Sequence, residues 1–221
     1  MTEAEQHARA DADGKAKSRK TLVQGLGGAV AGAGGMLLML HFVDDPARDP
    51  IGTDHILALG TALVYTLMAL FVGFGALLPA VGARMLNVED EAELRHERRD
   101  LLVGALVLLF VAGLLGALGL HGDAGAGILG RDAATIVAAA ALIGLVGVSF
   151  YKADEDELNR LVAKEAGALT GLALVVLFGG WAALAHLGHV QMFSALAFVA
   201  GAFALFLAAI FVVVGRRGMM A

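Results

Sequence analysis

The stretch Asn87–Asp100, NVEDEAELRHERRD, carries six carboxylates (Glu89, Asp90, Glu91, Glu93, Glu97, Asp100) and three arginines (Arg95, Arg98, Arg99) between two long apolar runs. An ionised side chain at the bilayer centre costs about 3 kcal/mol or more, so no lipid-facing segment holds charge at this density. The stretch must lie in water between two membrane spans. Asp154–Glu165, DEDELNRLVAKE, repeats the pattern in weaker form, again between apolar runs. These two wet loops set the register of the rest of the chain.

Composition supports the same class. Hydrophobic residues make up 58% of the 221-residue chain and charged residues 17%, with a mean hydropathy of +0.77. Soluble chains run near 45–50% apolar and about 25% charged. The chain has no cysteine, which excludes disulfides, thiolate metal sites and thiol redox chemistry. No basic stripe interleaved with aromatics is present, so nucleic acid is not an expected partner.

Working outward, the pattern predicts an all-α polytopic membrane protein, six transmembrane helices arranged as three hairpins. The spans are expected at about 22–43, 55–82, 101–120, 133–150, 166–187 and 190–214, within a domain covering 21–217. A polar tail, 1–20, precedes them and a short end, 218–221, follows. The tail reads as solvated, because it lacks the large apolar residues of a surface anchor helix. The first span reads as an uncleaved signal anchor, since its apolar run exceeds a signal-peptide core and no small-x-small cleavage site follows. Asn87 with Asp90, and Asp154 with Glu157, have helix-cap spacing. Glu91 with Arg95, and Asp156 with Arg160, are i,i+4 pairs.

Alternation of six spans puts the tail, both charged loops and the C-terminus on one side. Fourteen of the sixteen basic residues fall there; only Arg48 and Arg131 fall on the other. The positive-inside rule then makes both termini cytoplasmic, and the expected location is a bacterial inner membrane.

No Asp, Glu, Lys or Arg lies deep in any expected span, whereas ion-coupled transporters usually keep such a group near mid-depth. A retinal-type Schiff base is excluded because no span has an interior lysine. Ser18, Ser149 and Ser194 are the only serines, and none sits in GxSxG. Small residues that admit a neighbouring backbone lie at Gly25, Gly28 and Gly32 in the first span and at Gly167 and Gly171, a GxxxG, in the fifth.

Five histidines fall at span ends on the outer side: His41, His55, His121, His186 and His189. With the aspartates there they form a candidate set for a transition metal, and two imidazoles from separate helices also suit a b-type haem. The alternative is an interfacial role, with each ring's body in lipid and a nitrogen in water.

PIGTDH, Pro50–His55, resembles the Gly-x-Asp-His stretch of nickel permeases of the hydrogenase- and urease-accessory type, which are also six-span proteins. That resemblance implies divalent-metal transport. The loop runs NVEDEAEL and DEDELNRLVAKEA resemble those of small uncharacterised multi-pass proteins of bacterial inner membranes, which implies topology without an activity. The expected function is an accessory or structural subunit of a membrane assembly, with the bilayer and either a second copy or other membrane subunits as partners. Glu91, Arg95, Arg98, Arg99, Asp156 and Arg160 are the expected docking surface. The alternatives are a small six-span transporter or channel for a divalent metal and, third, a haem-binding membrane protein.

Overall fold

The computed structural model describes residues 32–37, 52–78, 91–121, 128–150 and 157–217, with the side chains of 91–97, 149 and 157–159 outside the description. The chain divides into two units, residues 1–43 and 44–221. In the first, residues 32–37 are helical.

The second unit is helical throughout its described secondary structure: α1 (Thr53–Leu77), α2 (Glu91–Leu120), α3 (Arg131–Ser149), α4 (Glu157–Ala173), a π-helical segment (Leu174–Gly179), α5 (Gly180–His186) and α6 (Ala195–Arg216). Five stretches of it are long and apolar enough to cross a membrane: Thr53–Leu77, Arg98–Leu120, Arg131–Val148, Arg160–His186 and Ala195–Arg216. Backbone groups in lipid must be satisfied within the segment, which is why such runs adopt helix.

Local chemistry sets the helix ends. α1 and α3 each follow a glycine in extended conformation, Gly52 and Gly130, and carry an acid in the first turn, Asp54 and Asp132. Those acids complement the positive end of the helix dipole. α5 closes with a Schellman turn: Gly188 takes φ +79°, its N–H donates to the Ala185 carbonyl, and the His189 N–H donates to that of Leu184. Hydropathy alone would start the next helix at Val190. It starts at Ala195 instead, because Ser194 is the cap, its Oγ accepting from the Ala197 N–H at 3.1 Å.

Packing runs in a row, α3–α2–α1–α6–α4, with the most extensive contact between α1 and α2. The later two hairpins, α2/α3 and α4–α5/α6, pack as neighbours in sequence; the first arm of the first hairpin, 22–43, lies outside the described residues except for 32–37. The core of the row joins Ala58, Ala62 and Tyr65 of α1, Val111, Ala112 and Leu115 of α2, and Ala200 and Leu207 of α6. Lipid is as apolar as leucine, so helix association in a bilayer comes from close packing, and the alanines permit it. A smaller cluster joins Ala166 of α4 to Ala209 and Val213 of α6.

Among the described residues three glycines make specific room between helices, one of them Gly144, which lies against the Phe110 ring. A Cβ on Gly119 would stand 2.7 Å from Leu59 Cγ, and one on Gly201 would stand 2.6 Å from Phe178 Cζ. Phe178 lies in the π-helical segment, just before Gly179 and Gly180. π-helical turns take up an extra residue within a helix, and here that turn carries the ring seated on Gly201. Phe193 and Phe198 hold it edge-on, each with centroids 5.0 Å away.

Candidate functional site

The polar groups inside the spans are satisfied locally. Thr61 donates to the Leu57 carbonyl, Thr66 to Ala62 and Thr170 to Ala166, each within its own helix at 2.7–2.8 Å. Thr135 does the same to Arg131 at 2.8 Å. Tyr65 crosses from α1 to donate to the Phe203 carbonyl of α6 at 2.9 Å. Among the described residues, no buried side-chain nitrogen or oxygen lacks a partner. These groups therefore serve packing, as expected for hydroxyls that would otherwise face hydrocarbon.

The α1 N-terminus, the α2 C-terminus and the α6 N-terminus meet at one end of the row. Nδ1–H of His55 donates to the Gly119 carbonyl at 3.0 Å, tying α1 to α2. Nδ1–H of His121 donates to the Leu129 carbonyl at 3.2 Å and closes the turn before α3. In both rings Nε2 is the nitrogen left to accept or to ligate. Ser194, whose Oγ caps α6, stands close enough to the Asp54 carboxylate of α1 to act on its charge, so the starts of α1 and α6 lie side by side. The Trp181 indole N–H donates to the Gln191 carbonyl at 3.0 Å. His186 and His189 are exposed, one before and one after the Schellman glycine. His41 lies outside the described residues. Among the described residues no three His, Asp or Glu side chains converge as a metal-ion site.

The opposite end of the row carries the described basic residues other than Arg131, which opens α3. Arg217 forms a two-pronged pair with Glu165, Nη2 to Oε1 at 2.6 Å and Nε to Oε2 at 3.2 Å, joining α6 to α4. The Glu165 carboxylate raises the Arg217 guanidinium above its ordinary value through that bond. Arg98, Arg99 and Arg160 are exposed. The backbone at Glu91 and Arg95 is helical, but their side chains, like all of Asp156, lie outside the described residues.

Of the glycines singled out from sequence, three lie among the described residues. Gly167 and Gly171 are exposed and Gly32 is half-buried, and a Cβ on any of the three would meet open space. Gly25 and Gly28 lie outside the described residues. On α4 the face used by α6 is the one that carries the buried Ala166, with Val162 and Leu169 beside it. Only 6% of the apolar window Arg160–His186 is buried, against 33% for the α1 and α2 windows. α4 thus stands at the edge of the row with its glycine face outward.

The Asp54–Ser194 and Arg217–Glu165 contacts were not readable as pairs in the sequence. Their members are 140 and 52 positions apart, and only the packing of α6 against α1 and α4 brings them together. The one local signal was a serine just ahead of an apolar run, a cap pattern.

Fold and site together define the class: an integral, multi-pass, all-α membrane protein. Comparison with family models, with curated proteins and with solved structures finds no match.

Proposed function

We propose that the protein is an accessory or structural subunit of a membrane assembly and works by lateral association, with itself or with other membrane subunits. The observation that supports this reading is the outward face of α4, where Gly167 and Gly171 lie in open space while Ala166, with Val162 and Leu169, already holds α6. Large apolar side chains facing outward are covered equally well by lipid. A small-residue face is different, because it lets a second helix backbone approach closely and gain van der Waals contact that lipid does not match. The locally satisfied threonine hydroxyls of α1 and α4 fit a structural interior.

In this reading the protein sits in a bacterial inner membrane with both termini cytoplasmic. The Arg98/Arg217 end then faces the cytoplasm and the His55/Ser194 end faces outward. The fourteen-to-two distribution of basic residues supports that orientation.

The test is the size of the particle in mild detergent. Light scattering with detergent correction should give a particle larger than the 22.6 kDa chain, and Gly171→Leu should return it to one chain while insertion and helix content stay intact. A monomeric wild-type protein that carries out saturable solute flux in liposomes makes the transporter reading correct and this one wrong.

A further inference from the structure

The π-helical segment Leu174–Gly179 divides one membrane-crossing stretch, Arg160–His186, between α4 and α5. We infer that this turn is a register switch for the outward face of that stretch. With the π-turn in place the face carries Gly179; relaxed to regular α-helix, it would carry Phe178 instead. The face at stake is the docking face of the association reading above, on which this role rests.

An α-helix turns about 100° per residue. Measured from Ala166, which packs on α6, Gly167 stands about 100° round the helix and Gly171 about 140°. In an unbroken α-helix Phe178, twelve residues on from Ala166, would stand at about 120°, between the two glycine directions. It is turned elsewhere. A Cβ on Gly201 of α6 would stand 2.6 Å from Phe178 Cζ, so the ring has swung back to the side that faces α6. A π-turn takes up an extra residue, and one residue is about 100° of rotation, the size of that swing. The same shift brings Gly179 from about 220° to about 120°, onto the glycine face. Gly179 is exposed and a Cβ on it would meet open space, as on Gly167 and Gly171.

π-turns are rare within helices, and this one is held by the contacts of the ring it turns inward. Phe193 and Phe198 meet Phe178 edge-on with centroids 5.0 Å away. The seat is open on one side, where a groove of about 520 Å³ lined by Phe178, Trp181, Phe193 and Gly201 among others borders the ring. Between α5 and α6 the chain at 187–194 is not helical, which lets α5 rotate without carrying α6 with it. A ring off its seat removes what favours the π-turn. The helix then returns to α geometry, and Phe178 covers the face that a second helix backbone must approach closely.

The test measures particle size in mild detergent by light scattering, with helix content checked by circular dichroism. Gly201→Leu fills the seat and should reduce the wild-type particle to one chain. Adding Phe178→Ala should restore the larger particle, because the turned helix then presents alanine. Deleting Val176 removes the extra residue while leaving Phe178 on Gly201 and Gly179 on the glycine face. That variant should match the wild type in particle size and melting temperature, and it decides the matter should Gly201→Leu fail to fold. A monomeric wild-type protein overturns the association reading and the switch with it. A larger wild-type particle that a folded Gly201→Leu variant retains overturns the switch alone. So does a folded double variant that stays at one chain, and so does a Val176 deletion that falls to one chain or melts well below the wild type.

Discussion

Tyr65 on α1 donates its hydroxyl hydrogen to the Phe203 carbonyl on α6 at 2.9 Å, and the two rings meet edge to face with centroids 6.2 Å apart. This is the polar cross-link of the core shared by α1, α2 and α6. Tyr65 is 2% exposed, so its hydroxyl would have no other partner in hydrocarbon. Tyr65→Phe keeps the ring contact and removes the bond. It should lower stability by about 0.6–1 kcal/mol, the usual worth of an interhelical hydrogen bond in a membrane. Tyr65→Ala also opens a cavity and should cost about 3–5 kcal/mol. Denaturant titration in mixed micelles separates the two, and equal losses would show that the ring contributes nothing.

Gly201 and Gly171 should respond oppositely to alanine. At Gly201 the new Cβ meets Phe178, whose ring is fenced by Phe193 and Phe198. Overpacking of this kind typically costs about 1–3 kcal/mol. At Gly171 the Cβ meets open space within the chain, so in the unassociated single chain helix propensity alone favours alanine by up to about 1 kcal/mol. Combining Gly201→Ala with Phe178→Leu should recover part of the loss, as a double-mutant cycle would read. Independent, additive effects would show that the Phe178–Gly201 contact is not what sets the cost.

The charge asymmetry predicts the labelling pattern of introduced cysteines, a clean background because the chain has none of its own. Ala126→Cys should react with an impermeant maleimide on intact cells. Asn159→Cys should react only after permeabilisation. The reverse pattern means that the fourteen basic residues face outward, against the positive-inside rule.

For the histidines, the bonds from His55 to Gly119 and from His121 to Leu129 predict structural roles at the membrane boundary. The purified protein should be colourless and should carry no stoichiometric transition metal. Replacing His41, His121 and His186 together by alanine should leave its absorption and metal content unchanged. A Soret band, or one metal per chain lost on that replacement, would establish a haem or metal site.

The helical membrane class was legible in the sequence because it is a matter of solvent. A run of about twenty apolar residues has one low-energy conformation in lipid, and NVEDEAELRHERRD has one acceptable place, water. The starts of α1 and α3, with Asp54 and Asp132 in their first turns, were also partly legible, since the acids that suit a helix N-terminus are local, whereas the start of α6 was expected at 190 and lies at Ala195. The π-helical turn at Leu174–Gly179 was not. It accompanies the seating of Phe178 on Gly201, and nothing within LVVLFG announces a partner 23 residues further on.

The same division applies to the glycines. GxxxG at Gly167 and Gly171 marks a face that can accept a helix, and the sequence alone determines that much, because the missing side chains are a property of the residues. Which face the chain uses for itself was decided in the tertiary structure: α6 packs on Ala166, with Val162 and Leu169, leaving Gly167 and Gly171 outward. Helices in a bilayer all present much the same apolar surface, so hydropathy assigns each run to the membrane but cannot rank its faces. That ranking comes from steric fit between helices far apart in sequence, Leu59 on Gly119 and Phe178 on Gly201, and exists only once they are packed.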